Sequence, residues 1–214
     1  QLECKIKYHD IDGTFEMRLD GEEMFNETGI DTAGTSGNSH ARVRWHSFQA
    51  VASYVPLIGA AWVCDTTGNT CNDFLGGTRI HTRLPESDNV AEWTPSTGNT
   101  NYEVVDERAI DDDTTYISED TTGNVASFGS SNLPSTANHV YGVKLGLDAR
   151  SEQGDTETCE QVIESGGTEY TGNSHALGTD WAYRQYLTEE DPDTGTTWTV
   201  NGYNSTKFGV EKTS

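Results

Sequence analysis

The chain is 214 residues long and carries 35 acidic against 13 basic side chains, a formal charge of −22 at pH 7. Such a charge repels phosphate backbones, so no nucleic-acid partner is expected, and no run approaches the ~18 apolar residues of a membrane helix, so no membrane insertion is expected either. Only 33% of residues are hydrophobic, but five Trp, nine Tyr and six Phe bury much area from few positions, which excludes a disordered chain.

Taken in order, the sequence reads as strands and turns almost throughout. Residues 1–8 alternate, with Leu2, Cys4, Ile6 and Tyr8 on one face, and residues 14–19 alternate again with Phe15, Met17 and Leu19 together. Asp20-Gly21 between alternating runs is a hairpin signal. Met24-Phe25 is a short apolar stub, and residues 32–39 are a Gly/Ser/Thr/Asn loop. Residues 40–48 alternate, with Arg42, Arg44 and His46 on one side. Residues 51–64 are mostly apolar but broken at Pro56, and residues 77–84 read as a strand with Arg79, His81 and Arg83 on one face. Residues 89–101, polar except for Trp93 and carrying Pro95 and Gly98, mark a linker between a first domain at 1–88 and a second at 102–214.

Short strands are expected at 102–105, 115–117 and 125–128, and a longer alternating one at 139–150. Residues 156–165 form a strand that turns at Gly166-Gly167 into residues 168–170, and residues 181–186 carry Trp181 and Tyr183 on alternate positions, then Tyr186 after a slip. Asp191-Pro192-Asp193-Thr194-Gly195 is a turn, residues 196–204 hold one helical turn at most, and residues 208–210 form a final strand. GNSHA occurs at 37–41 and again at 172–176. Either a sandwich unit is duplicated or good turn chemistry is reused, and the irregular spacing of related Gly-Asn pairs favours reuse. Many short strands with frequent turns mean an all-β fold of two antiparallel β-sandwich units.

Several residue groups could carry chemistry. Acidic turns suit calcium, which takes six to eight oxygen ligands, and Asp10 with Asp12 and Asp65 with Asp73 are the candidates. No cofactor is required. Carboxylates are abundant, yet no E-x-D-x-x-E run and no G-x-S-x-G motif is present, so no catalysis is expected. Cys64 and Cys71 flank a short polar loop and are candidates for a disulfide, the alternative being two thiols. Arg42, Arg44, Arg79 and Arg83 form a basic patch if their strands pair; it either docks an acidic copy of the same chain or meets local acids across the strands. Trp181 and Trp198 sit beside turns and are candidates for stacking on surface glycans.

Two stretches together carry a resemblance. The first is Gly13-Thr14-Phe15-Glu16-Met17-Arg18-Leu19-Asp20-Gly21, followed by Trp62-Val63-Cys64-Asp65 and Asn72-Asp73-Phe74-Leu75-Gly76. The second is Trp93-Thr94-Pro95-Ser96-Thr97-Gly98, then Asp111-Asp112-Asp113-Thr114-Thr115-Tyr116-Ile117 and Ser165-Gly166-Gly167-Thr168-Glu169-Tyr170. In this order they resemble a family of tailed-bacteriophage virion structural proteins. The resemblance implies a partial concanavalin-like (laminin-G-like) sandwich followed by a jelly-roll module. It further implies a virion or extracellular location, and homo-oligomer or other virion-protein partners. It also implies further strands upstream of Gln1, whose loss would leave an open sheet edge inviting strand addition. A carbohydrate-binding or adhesive module, or a subunit of an extracellular filament, is the alternative.

Overall fold

The computed structural model describes residues 1–33, 63–65, 67, 70–153 and 157–214. The strand expected at 40–48, with Arg42 and Arg44, and most of the apolar region 51–64 lie outside the described residues. The chain divides into two compact units, residues 1–80 and 81–214. The described residues are overwhelmingly antiparallel β-structure, as the sequence predicts.

Unit 1 contains β1 (Leu2–Lys7), β2 (Gly13–Leu19) and β3 (Glu22–Ile30), joined as a three-stranded meander. The β2–β3 turn is the one its sequence predicts. Asp20 and Gly21 both have positive φ (51° and 87°), the backbone of a two-residue primed turn whose twist suits the flanking strands. β3 runs nine residues where only a stub is expected, because β2 supplies a pairing partner along its whole length.

Unit 2 opens with β4 (Pro85–Ala91) and β5 (Thr94–Pro95), then a 3-10 turn at Tyr102–Val104. It continues with β6 (Ile117–Ser118), β7 (Val125–Ser130), β8 (Val143–Ala149), β9 (Thr158–Ser165), β10 (Thr168–Ala176) and β11 (Ala182–Thr188). β12 (Glu190–Asp191), β13 (Thr196–Thr197), α1 (Val200–Ser205) and β14 (Lys207–Lys212) complete it. A five-stranded sheet has the order β10-β9-β14-β7-β4, and β8 pairs with β11. The β9–β10 hairpin turns at Gly166 and Gly167, both at positive φ.

Alternation on β7, β9 and β14 decides where the core sits. Phe208 lies opposite both Phe128 and Ile163, and Val210 opposite both Ala126 and Gln161, so these side chains share one face. Leu147 and Ala149 of β8 pack on Ala126, Phe128, Cys159 and Val210. Val143 and Leu145 pack with Ile163 and Trp198. The β8–β11 pair is therefore the second layer of a sandwich. Lys212 ends β14 buried, its Nζ donating to Glu157 at 3.0 Å. The Ser151 hydroxyl and this ammonium hold the Glu157 carboxyl below the usual range.

Three expectations change. Residues 77–84 are irregular rather than a strand. The Thr78 N–H folds back on Gly76 O at 2.8 Å, and no described neighbour takes up a ladder there. Part of the expected linker 89–101 is instead sheet. β4 bonds to β7 through two bulges, and the Trp93 indole N–H donates to Asn124 O at 3.1 Å. Residues 102–104 are 3-10 rather than β, because both Asp88 carboxylate oxygens accept the Asn101 and Tyr102 N–H groups and fix the bend.

Candidate functional site

The feature that departs furthest from an ordinary surface is the three-stranded sheet of unit 1. Its register aligns Leu2 with Leu19, Cys4 with Met17 and Phe25, and Ile6 with Phe15, a face apolar on β1 and β2, with Glu22 and Glu27 of β3 at its margin opposite Leu19 and Phe15. Phe15 and Phe25 contact at 5.5 Å between ring centroids. Such a face ordinarily lies on a core. Among the described residues it is partly uncovered: Leu2 is 56% exposed and Ile6 and Phe25 are 42% exposed each, while Phe15 and Met17 are half-buried.

The opposite, polar face is covered at one place, around Glu3. Glu3 is only 3% exposed, and its Oε1 accepts the backbone N–H groups of Leu75 and Gly76, each at 3.0 Å. Lys5 donates to Asp73 at 3.0 Å, and the Arg18 guanidinium lies 4.1 Å from the centre of the Phe74 ring. Residues 73–76 are thus clamped over the charged side by a buried carboxylate and two cations. Glu3→Ala leaves both N–H groups without their acceptor. It is expected to destabilise unit 1 by about 1–3 kcal/mol and to speed amide exchange at Leu75 and Gly76, with Glu3→Gln intermediate because it keeps one carbonyl oxygen. Unchanged exchange in Glu3→Ala would disprove the clamp.

The calcium candidates are local clamps too. Asp12 accepts from the Lys7 ammonium at 2.7 Å, which holds its carboxyl below the usual range. Asp10 stands 3.3 Å from His9 Nδ1, a nitrogen that already accepts the N–H groups of Ile11 and Asp12. Asp65 closes its own turn by accepting the Thr67 hydroxyl and N–H, and Asp73 takes Lys5; both carboxyls are held low by these bonds. Among the described residues, no three His, Cys, Asp or Glu gather as a metal site.

Cys64 is exposed and Cys71 half-buried, and the structure does not join them in a disulfide. Arg79 falls in unit 1 and Arg83 in unit 2, on an irregular stretch rather than one strand. Arg83 donates to the Ser131 hydroxyl at 3.3 Å, and its Nε is buried without an acceptor among the described residues. Trp181 is half-buried; its N–H donates to Asp113 at 3.1 Å and Arg150 lies over the ring at 5.4 Å, so one ring face is occupied. Trp198 is 2% exposed and belongs to the core of unit 2, not to an exposed stacking platform.

Searches of family models, curated proteins and solved structures matched nothing. Among the described residues no helix is long and apolar enough to cross a membrane.

One group of residues escapes sequence reading. Glu160 and Glu164 of β9, Glu169 of β10 and Glu211 of β14 share the face of the five-stranded sheet away from the β8 layer. Lys207 sits opposite Glu164 on that face, and Glu164 also accepts from the Asn89 amide at 2.8 Å. Burial, then the Glu160 and Glu169 charges, push the Glu211 carboxyl up from 4.5. The i, i+4 spacing of Glu160 and Glu164 already puts them on one face, but the neighbouring strands that add Glu169 and Glu211 are set by topology. The folded protein holds this proton more tightly than the unfolded chain. Ionisation therefore costs stability above the raised value, and the cost vanishes as pH falls below the ordinary range. Glu211→Gln is expected to melt higher than the parent at pH 7.5 and to match it near pH 4. A pH-independent difference in melting temperature would contradict the cluster.

Proposed function

We propose that this chain is a non-enzymatic structural protein of a tailed-phage virion, a component of the tail, fibre or capsid surface that works by self-assembly. Its mechanism is the burial of the apolar face of β1, β2 and β3 against further copies of the chain or against other virion proteins. The observation that carries this is the sheet of unit 1, on which Leu2, Ile6, Leu19 and Phe25 share one face and stand exposed among the described residues. A contiguous apolar face is the signature of an interaction surface, whereas scattered exposed hydrophobes are not. Sheet edges add to this: among the described residues β1 and β3 are the outer strands of their sheet, and eight of the nine β3 residues are exposed. The two-stretch resemblance supports an assembly on a virion, with a partial concanavalin-like sandwich in unit 1 and a jelly roll in unit 2. The charge of −22 supports protein rather than nucleic-acid partners.

Each of these half-exposed side chains is worth about 1 kcal/mol or more on full burial, so replacing two of them by charges removes about 3 kcal/mol, or roughly 100-fold in association. Native mass spectrometry and sedimentation of the purified chain are expected to show concentration-dependent oligomers, with the Ile6→Lys, Phe25→Asp double variant shifted to monomer. Immunogold electron microscopy on the source material is expected to label tailed, DNA-filled particles. A chain that stays monomeric at all concentrations refutes the self-assembly mechanism, and label confined to DNA-free filaments or cell surfaces refutes the virion.

A further inference from the structure

We propose that the β1–β2 turn of unit 1 is a proton-operated latch, closed while His9 is neutral and released when His9 is charged. The closed state is the one the structure shows. His9 Nδ1 accepts the backbone N–H groups of both Ile11, at 3.2 Å, and Asp12, at 2.9 Å, so this nitrogen carries a lone pair and no proton. The imidazole closes the turn from within, as the side chain of an Asn or Asp does in an Asx turn. Asp10 Oδ1 stands 3.3 Å from the same nitrogen. In an imidazolium both ring nitrogens are donors. Nδ1 can then accept neither N–H group, while Asp10 offers it an acceptor. One proton therefore exchanges two bonds that close the turn for one bond between His9 and Asp10. The His9 side chain is 34% exposed, so the proton reaches it from solvent. Imidazole is the side chain that ordinarily changes charge between about pH 5 and 8.

The turn is also a junction. The His9 N–H donates to the Thr32 hydroxyl oxygen, and the Thr32 N–H donates to His9 O, each at 3.0 Å. The Thr32 hydroxyl donates in turn to Lys7 O at 2.7 Å. A methyl group on Gly13 would collide with that hydroxyl, so the end of β1, the start of β2 and the chain after β3 meet beside His9. Other charged groups there are already engaged. Asp12 accepts from the Lys7 ammonium at 2.7 Å, and that bond holds its carboxyl low. Asp31 Oδ1 accepts the Ala33 N–H at 3.1 Å. Among the described residues Asp10 is thus the group placed to meet the new charge. The latch stands independently of the assembly reading of unit 1.

The test is a nitrogen–proton correlation spectrum of the whole labelled chain, recorded from about pH 8 to about pH 5, with the His9 ring followed through its carbon-bound protons. The Ile11 and Asp12 amide signals are expected to move in step with the ring. Their hydrogen exchange, corrected for its intrinsic pH dependence, is expected to quicken about fivefold or more, the equivalent of one lost hydrogen bond each. Exchange at Leu75 and Gly76, whose N–H groups are held by Glu3, is expected to keep its corrected rate. His9→Asn is the control: its side-chain oxygen can accept turn N–H groups but takes up no proton in this range, so both amides are expected to stay protected throughout. The same spectrum reports that the variant is folded. Ile11 and Asp12 amides that ignore the ring titration overturn the proposal. So does a transition that persists in His9→Asn, or an equal quickening at Leu75 and Gly76, which would mean that unit 1 loosens as a whole.

Discussion

Trp198→Ala is expected to cost unit 2 about 3–5 kcal/mol. The indole is 2% exposed and joins the two layers of the sandwich, touching the cluster of Ile163 from the five-stranded sheet and Val143 from β8. Partly buried Leu133, Tyr186, Tyr203 and Phe208 surround the same cluster, and sheet backbones on both sides prevent them from collapsing into the void. For a unit of this size the loss corresponds to a fall of roughly 10–15 °C in melting temperature. Trp198→Phe is expected to cost much less, because it keeps a ring and gives up only an N–H that bonds to no described acceptor. Thermal melting followed by near-ultraviolet circular dichroism measures both. A loss below about 1 kcal/mol in the alanine variant would show that the layers are held together elsewhere.

Gly209→Ala is expected to be nearly as damaging, through crowding rather than a void. Gly209 sits in β14 opposite Ser127 of β7 and Val162 of β9. A methyl group there would stand 2.1 Å from Ala126 O and 2.7 Å from Ser127 Cα. Both obstacles are backbone of a paired neighbour, so neither can rotate away, and relief requires breaking the β14–β7 ladder. The expected cost is about 3 kcal/mol. Gly98→Ala is the control, because nothing lies within 4 Å of the added atom. Equal melting temperatures for the two variants would mean that β14 and β7 approach less closely than the structure has them.

What was legible in the sequence is local chemistry. Asp20-Gly21 gave its turn because a two-residue hairpin loop needs positive φ at both positions, which Asp tolerates and Gly favours. The single helical turn expected within 196–204 is α1, started by Thr199 as its capping residue. Alternation gave the right companions within a face: Phe15, Met17 and Leu19 do lie together. It could not give the side that is covered. Leu2, Ile6 and Phe25 are exposed, while the buried carboxylate of Glu3 holds residues 75–76 on the other side. Tyr102–Val104 reads as a strand from its residue types, yet Asp88, distant in sequence, bends it.

The candidate site residues were legible as residue types and not as a site. Asp12, Asp65 and Asp73 are the acids calcium would need, but a nearby lysine or hydroxyl reaches each first. Trp181 is taken by Asp113 and Arg150, which come from segments that no spacing rule connects.

The place of β14 between β7 and β9 has a consequence for how the protein is made. Synthesis delivers β4 and β7, then β9 and β10, and only afterwards the strand that bridges the two pairs. Until Lys207–Lys212 leaves the ribosome, β7 and β9 each present a bare inner edge. Those edges are free to pair with the same strands of a neighbouring nascent chain. When β14 inserts, it closes both at once, so the larger sheet matures in one late step. A chain ended shortly before residue 207 is left as two half-sheets, each with an open side ready to aggregate.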